Sequence, residues 1–481
     1  MEGTTFKVYF WESEEHHKPL QELNKISTDL GVRGSSAIGN NLVLLKLRGI
    51  KLSVDLDLLL MALRRLLALP FLVLAISLPS TTTSLSPNPK PLALPVRLDA
   101  NTLQHVIRLL QRTPLVPVRL VLHLGATFSW VDCERGYISS SYLPVPCGSP
   151  LCAPARSFGC TTECYARRSP ACNNNTCSVL PANPFTNTMT SANLIADVLS
   201  IPSTSVTLPR FLFSCAPHTF RQGLAKLAAG TAGLGWSPVS FPSQLAQALS
   251  LPRTFAICLA SNATSPGVLF VGDGPYNFLP GVELSQQNLV YTPLRKVGRT
   301  DEYYIRVTDI KIGGRAVPLN RTFLGYRPKT GRGGTRFSTV VRHTTLRRSI
   351  YKAVATAFAA ALSKIRPVKA VAPFGLCYSE ESLGSTRVGP GVPPVEFVLH
   401  NDSVSWVMSG SNTMVAAGDG VLCLGFVDGG EEPADATIVV GTRQLEDNLV
   451  QFDVGRARVG LSSSLLFRRT TCSNYDFGKK A

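Results

Sequence analysis

The chain has 481 residues, of which 44% are hydrophobic and only 16% are charged. This composition excludes a disordered protein and leaves room for two or three globular domains. Its 48 Lys and Arg residues outnumber 31 Asp and Glu residues, which gives a net charge of +17. A basic protein of this kind suits an anionic partner, such as nucleic acid, anionic lipid, acidic polysaccharide or an acidic protein, and composition does not choose among them.

The first sixty residues differ in character from the rest. Residues 1–60 contain no cysteine, no N-glycosylation sequon and only weak periodicity, so we interpret them as a gene-model extension or a disordered segment. Residues 61–86 have the pattern of a signal peptide, because Arg64 and Arg65 precede a short apolar stretch and then small and polar residues. Met61 is then the expected start. A type II membrane anchor is the alternative, but the apolar stretch is short for a span, and we predict no stable membrane insertion.

From Leu92 onward the sequence is typical of an all-β protein. Short alternating runs such as VRLVLHL and GVLFVG are separated by Gly, Pro, Asn and Ser. Two segments have clear helical periodicity, residues 242–251 and the Ala-rich segment 344–365. One notable helix in each half predicts two β lobes, an N-terminal cysteine-rich lobe over 87–280 and a C-terminal lobe over 281–481.

The cysteines indicate an oxidising compartment. All twelve follow residue 130, and eight of them crowd between 133 and 215, which favours a disulfide framework. Zinc binding is disfavoured because no histidine sits at ligand spacing in this cluster, and we predict no metal and no cofactor. The cysteines are Cys133, Cys147, Cys152, Cys160, Cys164, Cys172, Cys177, Cys215, Cys258, Cys377, Cys423 and Cys472.

Four N-glycosylation sequons follow the signal segment. Together with the cysteines they predict a secreted glycoprotein of the extracellular space or cell wall (apoplast). The sequon asparagines are Asn174, Asn262, Asn320 and Asn401.

Several motifs in the same order resemble those of the pepsin-like aspartic peptidases. They are HLGATFSWVDC (123–133), AAGTAGLGWSPVSFPSQLA (228–246), GGTRFSTVVRHTTLRRSIYKAV (333–354) and GTRQLEDNLVQFDVGRARVGLSSS (441–464). The resemblance covers residues 90–475 and implies a bilobal pepsin-like fold with two β-barrel-like lobes and few short helices.

A narrower branch of that family fits better. The segments QRTPLVPVRLVLHLG, ANPFTNT and SSSLLFRRTTCSNYDF are similar to plant basic 7S globulins, extracellular dermal glycoproteins and cereal xylanase inhibitors. Most members of this group inhibit microbial glycoside hydrolases. The resemblance also implies the disulfides Cys377–Cys423 and Cys258–Cys472.

The resemblance itself argues against peptidase activity. Aspartic peptidases need two carboxylates, one from each lobe, that share a proton and hold a water molecule. In this alignment His123 and Ser338 replace the two catalytic aspartates, and Ala182 replaces the tyrosine of the substrate-covering flap. We therefore expect that the protein is not an enzyme. A Ser–His nucleophilic pair is imaginable, but no G-x-S-x-G motif accompanies Ser338, and a remnant imidazole is the preferred interpretation.

The resemblance implies a binding site in the C-terminal lobe instead. Endoglucanase-inhibiting members insert two arginines into the enzyme's cleft, and these match Arg387 and Arg468 here. The xylanase-inhibiting branch uses a histidine before the last cysteine, whereas no histidine follows His400. A microbial xyloglucan endoglucanase is therefore a more plausible protein partner than a xylanase, and plant defence is the implied role. The alternative is that both arginines are ordinary solvated side chains.

A second group of seven basic residues crowds into residues 327–348 around the second loop. It suits an acidic wall polysaccharide or an acidic protein, although a solvated basic face is the preferred interpretation. No nucleic-acid partner is predicted, because the chain is expected to be secreted and no binding motif is present. The group consists of Arg327, Lys329, Arg332, Arg336, Arg342, Arg347 and Arg348.

Two other functions remain open from the sequence. One is an active aspartic endopeptidase, which would require the loop alignment to be wrong. The other is a seed storage or peptide-signal-binding basic globulin.

Overall fold

The computed structural model describes residues 90–164, 169–431 and 436–478, together with a hairpin nearer the N-terminus. Contacts divide the chain into two units, Met1–Pro87 and Asn88–Ala481. In the first unit, strands β1 (Leu42–Leu47) and β2 (Ile50–Asp55) pair antiparallel. The predicted signal segment 61–86 and the remainder of residues 1–60 lie outside the described residues.

The second unit consists mainly of strands, which confirms the predicted all-β class. Its first strands are β3 Leu92–Leu98, β4 His105–Gln111, β5 Val116–His123, β6 Ser129–Asp132, β7 Leu143–Pro144, β8 Gly159–Thr161, β9 Thr176–Val179, β10 Ala182–Asn183, β11 Thr188–Met189, β12 Ala192–Ser200, β13 Thr207–Ala216, β14 Ala228–Gly233, β15 Thr254–Cys258, β16 Gly267–Val271, β17 Tyr276–Phe278 and β18 Val282–Leu284. The later strands are β19 Val290–Pro293, β20 Tyr304–Ile305, β21 Asp309–Ile312, β22 Arg315–Ala316, β23 Tyr326–Arg327, β24 Arg332–Gly333, β25 Thr335–Phe337, β26 Thr344–Leu346, β27 Cys377–Ser379, β28 Ser385–Thr386, β29 Gly389–Pro390, β30 Val395–Val398, β31 Ser405–Met408, β32 Met414–Ala416, β33 Val421–Leu424, β34 Phe426–Asp428, β35 Ile438–Val440, β36 Leu449–Asp453 and β37 Arg458–Leu461.

Short helices interrupt the strands. The α-helices among the described residues are α1 Phe241–Ala248, α2 Arg348–Ala361, α3 Glu380–Leu383, α4 Gly410–Thr413 and α5 Thr442–Leu445. The 3-10 helices are His218–Arg221, Gln286–Asn288, Arg321–Phe323 and Leu465–Arg468.

The long Ala-rich helix begins later than the sequence pattern predicted. The helix was expected from residue 344, but Thr344–Leu346 forms β26 and α2 starts at Arg348. The β-branched Thr344 and Thr345 favour the sheet, where β26 lies between β34 and β35. Once α2 begins, Ile350, Val354 and Phe358 recur every four residues and are all buried, as expected for an amphipathic helix.

One large sheet runs through most of the second unit. It contains β7 and the path β19-β37-β36-β15-β16-β3-β4-β5-β14-β6-β13-β12-β9-β8. Strands from both predicted lobes therefore share it, with β36 of the second half paired to β15 of the first. Phe255, Tyr303 and Phe452 pack there, and the ring of Phe452 lies 4.9 Å from that of Phe255 and 4.6 Å from that of Tyr303. The lobe boundary at residue 280 stays a prediction.

Six disulfides pair all twelve cysteines. They are Cys133–Cys215, Cys147–Cys160, Cys152–Cys177, Cys164–Cys172, Cys258–Cys472 and Cys377–Cys423. The last two confirm the pairs implied by the resemblance. The first four lie within residues 133–215, so that they crosslink a loop-rich region with few long strands.

The same strand arrangement occurs twice in the second unit. In the first half, β14 pairs parallel with β5 and antiparallel with β6, and β6 pairs parallel with β13. In the second half, β35 pairs parallel with β25 and antiparallel with β26, and β26 pairs parallel with β34. The two copies of this internal repeat lie more than two hundred residues apart, and no short sequence repeat indicates them.

Candidate functional site

The strand register fixes where the first loop lies in its repeat. Thr231 of β14 is opposite Val121 of β5 and also opposite Trp130 of β6. His123 therefore stands two residues beyond the partner of Thr231, at the end of β5, and the loop to β6 follows it.

The second loop has the same register. Val439 of β35 is opposite Arg336 of β25 and also opposite Thr345 of β26. Ser338 stands two residues beyond Arg336, as His123 does beyond Val121. The register and the motif alignment thus give the same pair of equivalent positions, His123 and Ser338.

A buried hydroxyl joins the two loops. Thr339 Oγ1 accepts a hydrogen bond from the Leu124 N–H at 2.9 Å and donates one to the Leu122 carbonyl at 2.8 Å. The register makes Leu124 the equivalent of Thr339, and a leucine cannot return these two bonds. The Thr339 side chain therefore links the two loops, and the contact between them is the seam. His123 and Ser338 lie in these adjoining loops.

Neither residue of the pair offers a carboxylate. His123 is half-buried, and its Nδ1 has no hydrogen-bond partner among the described residues. Burial, with a smaller contribution from the Arg336 guanidinium, lowers the pKa of His123 to about 4. Ser338 is buried, and its hydroxyl oxygen accepts bonds from the backbone N–H groups of Val340 and Val341 at 3.3 and 3.2 Å. The seam therefore holds a neutral imidazole above about pH 4 and a hydroxyl bound within its own loop.

Two acidic residues contact the first loop, but arginines engage both. Asp301 accepts a hydrogen bond from Thr127 Oγ1 and pairs with Arg156, both at 2.6 Å. Glu302 packs against Gly125, where a β-carbon would lie 2.9 Å from Glu302 Cγ, and it pairs with Arg336 at 3.0 Å. These ion pairs occupy carboxylate oxygens that would otherwise be available to bind a water molecule.

The predicted flap position, Ala182, lies in a short hairpin. Ala182 is in β10, which pairs with β11, and its carbonyl accepts a hydrogen bond from Trp130 Nε1 at 3.0 Å. Trp130 of β6 thus contacts the backbone of this hairpin, and the side chain of Ala182 is only a methyl group.

We expect Thr339→Val to lower the free energy of unfolding by about 2–3 kcal/mol, because a buried N–H and a buried C=O lose their side-chain partner. Thr339→Ser keeps the hydroxyl and is the matched control, with a smaller loss. Urea denaturation at constant m-value measures both. A loss in Thr339→Ser as large as that in Thr339→Val would contradict this, because the methyl group would then matter as much as the hydrogen bonds.

A second buried imidazole belongs to His105, at the start of β4. Its side chain is inaccessible, and neither ring nitrogen makes a hydrogen bond of normal geometry among the described residues. Burial, and secondarily the nearby Arg342 guanidinium, lowers the pKa of His105 to about 3, and the Ala260 backbone only partly opposes this. The unfolded chain, with an ordinary pKa near 6.5, binds this proton more readily than the folded one.

The expected result is a loss of stability in acid. The contribution of neutral His105 is complete above about pH 6.5 and falls as the pH drops toward 3, by about 2 kcal/mol between pH 7 and pH 5. His105→Leu removes the titrating group and is expected to flatten the dependence by that amount. Urea unfolding at the two pH values checks this, and identical pH slopes in both proteins would contradict it.

The two predicted contact arginines are exposed. Arg387 lies in the turn between β28 and β29, and Arg468 is the last residue of the 3-10 helix Leu465–Arg468. Neither guanidinium has an ion-pair or hydrogen-bond partner among the described residues. Arg469 follows in the left-handed region, with φ of 57°.

Both arginine loops attach to one buried turn. Ser411 N–H binds the Val388 carbonyl at 2.7 Å, and Asn412 Nδ2 binds the Glu446 carbonyl at 2.7 Å. On the other side, Leu465 N–H binds the Asp447 carbonyl at 2.8 Å. The turn at Glu446 and Asp447 thus supports the Arg387 hairpin through α4 and the Arg468 helix directly.

The basic group at 327–348 is largely engaged within the fold. Arg336 pairs with Glu302, Arg342 with Glu446 and Arg348 with Asp428, and Arg347 stacks on the Phe323 ring at 4.0 Å. Arg327 and Lys329 are exposed. Residues adjacent in sequence here point toward different partners, so this group does not form one free cationic surface.

The four sequon asparagines are exposed, and their glycosylation stays a prediction. No helix in the described parts of the chain has the length and apolarity to cross a bilayer. Within those parts, no three His, Cys, Asp or Glu side chains cluster as metal ligands.

Comparison with known proteins gives consistent matches in both halves. Residues 105–273 match the family model described as "Xylanase inhibitor N-terminal", and residues 302–463 match "Xylanase inhibitor C-terminal". The chain is 45% identical to "Probable aspartic proteinase GIP2" of Nicotiana benthamiana over 404 residues, which are 80% of this chain and 92% of the relative. It is 43% identical to "Gamma conglutin 1" of Prunus dulcis over 396 residues, covering 80% and 90%.

Solved structures give the same result. "Crystal structure of edgp" matches with a TM-score of 0.78 at 45% identity, covering 81% of this chain and 98% of the other. The basic 7S globulin from soybean matches with a TM-score of 0.71 at 37% identity, covering 81% and 100%. The chain therefore belongs to the xylanase-inhibitor-like family of pepsin-fold proteins, together with the gamma conglutins and basic 7S globulins.

Proposed function

We propose that this protein is a secreted, catalytically inactive homologue of the aspartic peptidases that binds and inhibits microbial cell-wall glycoside hydrolases. A xyloglucan endoglucanase is its preferred target over a xylanase, and its role is plant defence. The six disulfides support an oxidising, extracellular location.

The residues at the contact between the two loops support the absence of peptidase activity. An aspartic peptidase activates water between two carboxylates that share a proton. The equivalent positions here carry an imidazole and a hydroxyl, and the Ser338 hydroxyl is bound within its own loop. Nothing at these positions accepts the water's proton in the way a carboxylate dyad does.

The observation that carries the inhibitory function is the pair of exposed, unpaired arginines held by one turn. Glycosidase clefts carry an acid and a base carboxylate flanking the scissile bond. A guanidinium is permanently charged and presents a planar fork that fits a carboxylate. Arg387 and Arg468, projecting from loops with fixed supports, are suited to enter such a cleft.

The direct test titrates the purified protein against a microbial xyloglucan endoglucanase and, in parallel, against a xylanase of the same source. The expected result is one-to-one inhibition of the endoglucanase, with the xylanase unaffected. Inhibition of the xylanase alone would transfer the proposal to the other target class, and inhibition of neither enzyme would overturn it.

The peptidase alternative is tested separately, because relatives such as those of Nicotiana benthamiana and Glycine max carry that description in their names. The protein is incubated with a denatured protein substrate at acid pH, with and without a peptide transition-state mimic. No cleavage is expected. Cleavage blocked by the mimic would show that carboxylates elsewhere in the protein do the work of the dyad.

A further inference from the structure

A concave surface on the outer face of the large sheet is lined by four arginines. Strands β3, β4 and β5 form its floor, and the cavity above them has a volume of about 930 Å³, within the usual range of ligand pockets. Arg97, Arg108 and Arg119 line it, one from each strand, whereas the fourth, Arg112, lies over the Tyr137 ring at 4.1 Å. Among the described residues, none pairs with the first three guanidinium groups, and no acidic residue lines the cavity.

The register places these arginines beside one another. Arg108 is directly opposite Arg119. Arg97 is opposite Val106, which lies two residues before Arg108 on the same face of β4. Directly opposed side chains start about 5 Å apart, and diagonal neighbours about 7–8 Å. Opposed like charges destabilise a sheet. The floor therefore carries a compact row of positive charges, and a bound anion would reduce the repulsion between them.

Apolar side chains also line the cavity. Leu227 is 66% exposed and Phe477 is 37% exposed, and Pro117 of β5 is a further lining residue. Leu227 and Ser203 both have positive φ, 66° and 63°. A leucine in this conformation is uncommon, and such strain often marks binding surfaces.

We infer that this cavity binds a linear polyuronate, a polysaccharide that carries one carboxylate on each sugar. Its regularly spaced carboxylates pair with the row of guanidinium groups, and the C–H faces of its sugar rings pack on Leu227, Phe477 and Pro117. A flat lipid surface does not enter a concave site. A stiff sugar chain also loses less conformational entropy on binding than an acidic peptide does.

This site is distinct from the arginine loops and does not depend on hydrolase inhibition. It would hold the protein on an acidic polysaccharide matrix while Arg387 and Arg468 stay free. Neutralisation of a polyanion releases counterions, so binding should weaken steeply with added salt.

The test measures binding of de-esterified homogalacturonan fragments by calorimetry at low salt. Arg97→Gln/Arg108→Gln/Arg119→Gln is expected to weaken binding about ten- to hundredfold, since three ion pairs of about 0.5–1 kcal/mol are lost. The matched control is Arg295→Gln/Arg299→Gln/Arg366→Gln, which removes the same charge from exposed positions outside the cavity. It is expected to bind within about twofold of the parent.

Several outcomes would overturn the inference. They are equal weakening in both triple variants, equal binding of fully methyl-esterified fragments, and stronger binding of polyglutamate or of anionic lipid vesicles. Inhibition of the endoglucanase is measured on the same variants. The cavity variant is expected to keep it, so failure here and failure of the proposed inhibitory function are distinguishable.

Discussion

The Arg387→Ala/Arg468→Ala double variant is expected to inhibit its target endoglucanase about a thousandfold more weakly than the parent protein. Truncating a desolvated arginine anchor costs about 2 kcal/mol or more. The loss of two separate anchors, about 4 kcal/mol, corresponds to that factor. The inhibition constant from steady-state titration measures the effect.

The size of this effect depends on the loops being ordered before binding. Thr386 Oγ1 donates to the Gly389 carbonyl at 2.7 Å and accepts from the Val388 N–H at 3.2 Å, which fixes the turn around Arg387. Gly389 has φ of 95°, and a β-carbon there would lie 2.3 Å from the Ser411 nitrogen. Only glycine permits this close approach, so the hairpin is held against α4. An ordered loop loses little entropy on binding.

Arg469→Ala is the matched control for the double variant. Arg469 is exposed and adjoins Arg468, but it ends the 3-10 helix in a different backbone conformation. We expect its replacement to change the inhibition constant by less than about threefold, as for a contact at the rim of an interface. If Arg469→Ala lost inhibition while Arg468→Ala kept it, the contact residue would be Arg469. Unchanged inhibition in the double variant would remove the mechanism.

Glu446→Ala is expected to destabilise the protein by about 3–5 kcal/mol. Glu446 is 1% exposed on its side chain and pairs with Arg342 and, at 2.9 Å, with Arg443. Removing the carboxylate leaves two partly buried guanidinium groups without their counter-charge. Urea denaturation at neutral pH measures the change in the free energy of unfolding.

The control for this variant is a pair of the same chemistry at the surface. Asp428 pairs with Arg348 at 2.8 Å, and their side chains are 33% and 43% exposed. Asp428→Ala is expected to cost less than about 1 kcal/mol, because solvent screens exposed ion pairs. Similar losses in the two variants would show that burial does not strengthen the Glu446 pairs. Because the Glu446 turn supports both arginine loops, Glu446→Ala should also weaken inhibition in the fraction that stays folded.

Much of the fold could be read from local patterns. Alternating apolar residues predicted the strands, and the motifs in their order predicted the pepsin-like class, because both depend on residues close together in the chain. The sequence pattern placed the start of α2 too early, because the threonines Thr344 and Thr345 are compatible with either a helix or a strand. Pairing with β34 and β35, which lie about a hundred residues away, decided for the strand.

The positions of the candidate site were also readable, but their surroundings were not. The sequence identified His123 and Ser338 by motif spacing. It did not reveal that the Thr339 hydroxyl joins the two loops, or that Arg156 and Arg336 engage the acidic residues beside them. Those contacts join segments separated by more than thirty residues, and no local pattern encodes them.

By itself the sequence determined the class of the fold and indicated a disulfide framework, since residue identity and short-range spacing suffice for these. Only the tertiary structure decided which charges are free. The dense basic group at 327–348 is largely paired within the fold, whereas Arg97, Arg108 and Arg119, spaced eleven residues apart, meet on one sheet face. The physical reason is that ion pairing depends on distance in space, and strand pairing brings together residues that the chain keeps apart.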